Sequence, residues 1–220
     1  MAIYRQKPSS LPPVKVNDTI IPYSTKVKNL GVTMNCNLTW GDQISNIVSG
    51  VNGALSRLWC TATFTPEETR RKLIVALLLP KFQYCDIIYS QSSQGNKERL
   101  NKCYNSCARY VYNIRPSESI SGPAKDITGN TLNQLHGYRI CSFLHKLILQ
   151  RTPGYLYDKL RFGRSQRTGI LIPPRHNHTN YGNSFFVEGV SMWNSLPLEI
   201  RSARSVEAFK ESYYSYTSIM

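Results

Sequence analysis

Two-metal phosphoryl chemistry needs carboxylates that converge on ions about 4 Å apart. The thirteen Asp and Glu residues are scattered, with no Asp-Asp doublet and no Asp-x-Asp. The one adjacent pair, Glu67-Glu68, sits where acids favour a helix N-terminus. Softer ligands offer a different possibility. Cys103 and Cys107 lie four apart on one predicted helix, and Cys141 and His145 lie four apart on another. Two such helices could clamp one tetrahedral zinc with three thiolates and an imidazole. The competing reading places Cys103 and Cys107 in the apolar stripe of Leu100 and Val111, as small buried hydrophobes. The absence of knuckle spacings favours that second reading. His176 and His178 form a lone pair in a loop and read as solvent-exposed. No Gly-x-Ser-x-Gly elbow, phosphate loop or Gly-x-Gly-x-x-Gly turn occurs. The sequence therefore nominates no catalytic residue, metal or cofactor of its own.

The cations carry the stronger signal. Lys and Arg number 27 against 13 acids, giving a formal charge of +14 and an isoelectric point near 9.7. That balance favours a polyanionic partner, nucleic acid ahead of an acidic membrane surface. Arg70-Arg71-Lys72 falls one turn into a predicted helix. Between Asp126 and Glu188 the only acid is Asp158, against eight Lys and Arg. Four of these, Arg161, Arg164, Arg167 and Arg175, lie in a Gly/Asn/Pro-rich stretch with Phe162, flanked by Tyr155, Tyr157 and Tyr181. Arginine forks bind phosphates, and aromatic faces stack on unpaired bases. The charges are not gathered on one helix face, which argues against a membrane-surface helix. No stretch approaches the ~20 apolar residues of a span. The N-terminus lacks a signal-peptide apolar region, so the six cysteines read as reduced thiols. The chain is expected to be intracellular, in nucleus or cytoplasm, and not secreted.

The elements that must position these residues change character along the chain. Residues 1–13 read as an extended, Pro-punctuated lead-in. Val14-Lys15-Val16, the Asn17-Asp18 turn and Ile20-Ile21 predict a short hairpin. Val27 to Thr33 reads as one further strand interrupted at Gly31. From Ile44 the period becomes helical, with Ile44, Ile47, Val48, Val51, Leu55 and Leu58 on one stripe. Thr65, Pro66 and Glu68 predict a capping box that opens a second helix, which Pro80 ends or kinks. Further helices are expected from Asn96 to Asn113 and from Leu132 to Gln150, and a short one capped by Ser205. The stretch from Pro116 to Gly122 reads as the boundary between two subdomains. The fold class is mainly α with a small β portion at the N-terminus, and a second β portion is expected near 170–190.

Two stretches resemble a known family. Val27-Lys28-Asn29-Leu30-Gly31-Val32-Thr33, followed by Asn37-Leu38-Thr39-Trp40 and Ile44, is similar to a passage in reverse transcriptases of non-LTR, jockey-like LINE retrotransposons. Asn35 stands where that family often has Asp. Arg70, Leu79-Pro80, Tyr84-Cys85 and Tyr89 look like the thumb pattern that follows. Near the other end, Asn183-Ser184-Phe185-Phe186, Gly189, Trp193-Asn194-Ser195-Leu196-Pro197, Ile200, Arg201 and Phe209 resemble the C-terminal signature of the same polyproteins. Pro173, Pro174 and Arg175 fit the approach to it. The similarity spans about residues 14–211.

The resemblance implies a division into last palm strands (14–39), a helical thumb-like region (40–115) and a helical, loop-rich C-terminal extension (116–220). It implies that Leu30 and Gly31 form a primer-grip-like element, with Gly allowing close backbone approach. Lys28, Arg57, Arg70, Arg71 and Lys72 become candidates for contact with an RNA–DNA backbone, beside Arg161, Arg164, Arg167 and Arg175. The family's catalytic aspartates lie upstream of the Leu-Gly strand, so the chain is expected to be a fragment without polymerase activity. The Mg2+ ions would belong to the missing palm. Trp193 reads as a core or loop anchor rather than a base-stacking platform. The alternatives are a co-opted helical module that binds a protein partner, or a relic without function.

Overall fold

A computed structural model describes residues 1–3, 11–89, 92–115, 117–120, 122, 127–163, 169–175, 182 and 184–219, with the backbone alone at 218–219. The chain is mainly α with a small β portion. Two separate antiparallel hairpins open it. In the first, β1 (Val14–Val16) pairs with β2 (Thr19–Ile21) across Asn17 and Asp18. Both turn residues take positive φ, 47° and 61°, the mirror-image turn that matches strand twist and suits Asn and Asp. Both strands are exposed along their length. In the second hairpin, β3 (Lys26–Asn29) pairs with β4 (Val32–Asn35), with Lys28 opposite Thr33.

This second hairpin corrects the reading of Val27–Thr33 as one interrupted strand. Leu30 and Gly31 both have positive φ, 46° and 82°, and a strand cannot run through two such residues. They form the two-residue turn, and Gly31 is not a bulge.

The first core gathers around α1 (Gly41–Trp59) and α5 (Gln94–Tyr112). Ile44, Ile47, Val51 and Leu55 of α1 are buried, and Val48 and Leu58 pack beside them, as the helical stripe predicts. Leu100, Cys103, Tyr104, Cys107 and Val111 form the facing stripe of α5. Between them run α2 (Glu67–Leu73), a π-turn at Ile74–Leu78, and α3 (Leu79–Gln83). The predicted capping box at Thr65 does not form. Thr65 donates its hydroxyl to the Thr61 carbonyl at 2.8 Å, and Glu68 pairs with Lys72 instead. Pro80 does not end the helix either. It sits in the first turn of α3, where its missing N–H costs nothing, directly after the widened π-turn. Tyr84 then turns extended and Cys85 takes φ 55°, which reverses the chain into α4 (Asp86–Tyr89).

The second core forms on α6 (Leu132–Gln150), whose bounds match the prediction. Its start is a full capping box, Thr131 with Gln134. Leu135 belongs to the first core, whereas Ile140, Cys141, Leu144 and Leu147 belong to the second. The two cores therefore meet within one helix. The first also extends through Ile120 and Ile127, past the Pro116–Gly122 stretch; Pro116 and Ser121 lie outside the described residues.

After α7 (Gly154–Tyr157), the expected β portion near 170–190 reduces, among the described residues, to a single bridge between Phe162 and Leu171. Phe185–Gly189 is a π-turn that runs into α8 (Val190–Ser195). Gly189 allows this segment to lie on α6, since a Cβ there would stand 3.0 Å from Ile140 Cγ2. The chain closes with α9 (Leu198–Arg201) and α10 (Val206–Ile219). Ser205 caps α10 through its Oγ, 3.1 Å from the Ala208 amide, but that helix runs 14 residues and is not short.

Candidate nucleic-acid interface

The Leu30–Gly31 turn is a presented, braced tip. Leu30 is 83% exposed, although its residue type disfavours positive φ. Tyr84 donates its hydroxyl to the Leu30 carbonyl at 2.5 Å, from 54 residues away. Its ring also fills the space beside Gly31, where an added Cβ would stand 3.4 Å from Cε1. Behind the tip, the Thr33 amide donates to Gln43 Oε1 at 2.8 Å and Asn46 Nδ2 to Thr33 Oγ1 at 3.1 Å, fixing β4 on α1. Lys28 stands exposed on the outer strand.

The α2 cations divide. Arg70 donates from Nη1 to the Tyr110 carbonyl at 3.2 Å, with its guanidinium 6.0 Å from the Tyr110 ring centre. Arg71 donates to the Tyr112 hydroxyl at 3.0 Å, lies 5.6 Å from that ring and reaches Glu67 at 3.4 Å. Both arginines thus fasten α2 to α5. Lys72 holds Glu68 at 2.7 Å, and that exposed pair holds the Glu68 carboxyl below its ordinary value. Arg57 is exposed in the last turn of α1.

A third group lies on a ribbon over the second core. The Gly163 amide donates to the Ile170 carbonyl at 2.9 Å and the Ile172 amide to the Arg161 carbonyl at 2.7 Å. Two neighbouring side chains of α8 hold the ribbon down. Trp193 Nε1 donates to the Gly169 carbonyl at 2.8 Å. Asn194 clamps Leu171 from both sides, accepting from its amide at 3.0 Å and donating to its carbonyl at 2.7 Å. Trp193 is itself 1% exposed and stacks on Phe209, so it is a core and loop anchor. Arg161, paired with Ile172 at the open end of this ribbon, and Arg175, three residues past Ile172, are exposed, and neither side chain has a partner among the described residues. Arg164 and Arg167 lie outside the described residues, as do His176, His178 and Tyr181. The candidates therefore divide between the cores: Lys28, Leu30, Gly31, Arg57 and the α2 cations lie on elements of the first, Arg161 and Arg175 over the second.

The zinc set is not brought together. Cys103 and Cys107 belong to the first core, whereas Cys141 and His145 belong to the second. Cys107 Sγ turns to the Cys103 carbonyl at 3.5 Å, and His145 Nε2 lies 2.9 Å from the Ala203 carbonyl while its ring stacks on Phe209. Burial pushes the Cys103 thiol up to about 11 and the Cys141 thiol up to about 12, so neither offers a ready thiolate. All six cysteines are free thiols. Among the described residues no three His, Cys, Asp or Glu converge as metal ligands. No helix among them is long and apolar enough to cross a membrane.

Sequence reasoning missed one polar centre. Asp86 is 4% exposed and receives Nε and Nη2 of Arg139 at 2.8 and 2.5 Å, with His136 Nδ1 at 2.8 Å. Burial alone would raise its pKa. The hydrogen bonds from His136 and Arg139, with the Arg139 charge, outweigh that and hold the carboxyl below its ordinary value. The legible signal was a lone acid between Glu68 and Glu98 in a strongly apolar stretch, with His136 and Arg139 three apart on a later helix. No protein-family model, curated protein or solved structure matches the chain.

Proposed function

We propose that this chain is the end of the palm, the thumb and the C-terminal extension of a non-LTR retrotransposon-type reverse transcriptase, and that it binds RNA or DNA backbone without sequence preference and without catalysis. The observation that carries this reading is the ribbon: in a chain of charge +14, Arg161 and Arg175 stand exposed beside backbone anchored at Gly169 and Leu171, with no acidic partner among the described residues. Guanidinium forks so placed suit phosphate oxygens. Phosphate contacts position a protein without reading sequence, which is the binding mode the scattered cations support. Lys28 on β3 and Arg57 in the last turn of α1 add exposed cations on elements of the first core.

The experiment is a salt titration of binding to single-stranded and duplex oligonucleotides. If about six phosphates are neutralised, log K falls against log salt with a slope of about −5. Salt-independent affinity, or none at low salt, overturns the reading. Extension of a primer by the purified chain with Mg2+ overturns its non-catalytic part.

A second reading has its own observation. The β1–β2 hairpin exposes Val14, Val16, Ile20 and Ile21, each by 44% or more. An isolated two-stranded hairpin is at best marginally stable in water, so a protein partner covering it would make the chain an interaction module. A stoichiometric complex that survives nuclease treatment favours this reading over the first.

A further inference from the structure

The corner between α1 and α2 presents two aromatic rings on firmly bonded backbone. Trp59 is the last residue of α1 and is 42% exposed. Its indole makes a T-shaped contact with the buried Tyr110 ring, with centroids 5.3 Å apart at 85°, so the core sets its position. Phe64 ends the 3-10 turn Ala62–Phe64 and is 89% exposed, more than any other large apolar side chain among the described residues. The turn beneath it is laced by its own hydrogen bonds. The Phe64 amide donates to the Thr61 carbonyl at 3.1 Å and the Thr65 amide to the Ala62 carbonyl at 3.3 Å. The Thr65 hydroxyl donates to the Thr61 carbonyl at 2.8 Å, and the Thr61 hydroxyl to the Leu58 carbonyl at 3.1 Å. Rings held open to water on such a backbone lower the ordering cost that binding meets.

The surroundings suit a nucleic acid better than a protein face. No acid occurs between Asp42 and Glu67. Arg57, two residues before Trp59, is exposed and its side chain has no partner among the described residues. The other exposed side chains from Ser56 to Thr63 are Ser56, Cys60, Thr61 and Thr63, with no aliphatic one among them. A protein interface is built around an apolar core, which this corner lacks. A depression of about 330 Å3 adjoins Trp59 and is lined by Thr63, Thr65, Glu67, Arg70 and Asn113. Arg70 is committed to Tyr110, and Glu67 reaches Arg71 at 3.4 Å. The threonine hydroxyls and the Asn113 amide can each donate or accept, so they meet a base edge without choosing among bases.

We propose that this corner stacks unpaired nucleotides, with Trp59 and Phe64 as ring platforms and Arg57 as the phosphate contact beside them. The proposal rests on the nucleic-acid reading above and adds contact with bases to it. Such stacking tolerates any sequence, because every base has a π-face.

Trp40 and Trp193 are 5% and 1% exposed, so Trp59 is the tryptophan that acrylamide reaches and a stacked base quenches. The test titrates the full chain, over a salt series, with oligothymidylate and with an abasic oligonucleotide of the same length. Thymidylate is expected to quench Trp59, shield it from acrylamide and bind about tenfold more tightly than the abasic strand. Phe64→Ala, at a side chain open to water, should leave the melting curve in place and weaken thymidylate binding about tenfold, with abasic binding unchanged. Trp59→Phe keeps a ring, so it should retain most of the thymidylate preference while the quenching disappears. Arg57→Gln should flatten the salt slope by about 1 for both strands. Equal affinity for the two strands, or a thymidylate preference that Phe64→Ala leaves intact, overturns the proposal. Self-association that Phe64→Ala abolishes, without thymidylate preference, assigns the corner to a second copy and overturns it too. The salt series separates this failure from that of the backbone reading. Salt-dependent binding of both strands without preference removes the stacking site and leaves the backbone reading. Salt-independent binding of thymidylate alone does the reverse, and binding of neither strand overturns both.

Discussion

Arg70 and Arg71 in the last turn of α2, and Arg161 and Arg175 beside the ribbon, are the same side chain in opposite situations. The first two lie over tyrosine rings and donate to Tyr110 and Tyr112, so their guanidinium groups hold one helix against another. The second two flank a ribbon that Trp193 and Asn194 hold at Gly169 and Leu171, and their side chains reach outward. In sequence the α2 cluster is the denser of the two, and density alone ranks it first as a phosphate site. Its helical spacing explains why that ranking misleads. Residues on a short helix between α1 and α5 face a packed neighbour, and carbonyls and aromatic rings of that neighbour engage the charge. The exposed cations beside the ribbon have no such partner among the described residues.

The comparison breaks most severely at the pin. Trp193→Ala should cost about 3–5 kcal/mol, from loss of a buried aromatic, and should release Gly169 from the core; urea unfolding measures the first, and loss of the ribbon's amide protection the second. Asp86→Ala comes next, at about 3 kcal/mol, because it strands the largely buried Arg139 without its partner. A pH series tests the same centre. The folded carboxyl lies below its unfolded value of about 3.9, so the stabilisation is complete above that pH and disappears as pH falls through the folded value. Thermal melts between pH 6 and pH 2 should therefore show a steeper acid limb in the parent chain than in Asp86→Ala.

The functional half of the comparison is sharpened by a pair of variants. Arg161→Gln with Arg175→Gln should reduce oligonucleotide affinity roughly tenfold per lost phosphate contact at 0.1 M salt and flatten the salt slope by about 2. Stability should stay within about 0.5 kcal/mol, as for other exposed sites. Arg70→Met should do the opposite, costing about 1–2 kcal/mol of stability through its lost hydrogen bond and ring contact, with an unchanged salt slope. The smallest effect is expected at the hairpin tip. Leu30→Asn should stabilise by about 0.5–1 kcal/mol, because Asn tolerates positive φ better than Leu, and a shift in melting temperature reads it.

The helical stripes were legible because burial enforces period. Ile44 to Leu55 and Leu100 to Val111 face each other as their spacing predicts, and Leu132–Gln150 matches in type and extent. Local polar chemistry was less legible. Thr65-Pro66-Glu67-Glu68 had the right residues for a cap, yet Thr61 took the hydroxyl and Lys72 took the carboxylate, since both lie one turn away. Thr131 and Gln134 have the same pattern and do form the box. The Leu30-Gly31 turn was obscured by Leu, a residue rarely found at positive φ, and its brace, Tyr84, lies far along the chain. Of the interface, residue types were readable and engagement was not. Nothing in Arg70-Arg71-Lys72 says that Tyr110 and Tyr112 will stand over the first two. The zinc set failed for a related reason: shared helix faces say which residues point together, not which core each face enters.

Helix α6 carries Leu135 into one core and Ile140 through Leu147 into the other. Helix formation is cooperative along its length, so fraying of α6 from either end is felt by both cores. The chain should therefore unfold in one transition, and slow-exchanging amides should be continuous across the middle of α6 rather than divided between two independent sets. A cut after residue 131 would deprive the first core of Leu135 and leave the second with a helix that has lost its Thr131 cap. Neither piece is a self-sufficient unit, and any rearrangement of one core is passed to the other through the helix they share.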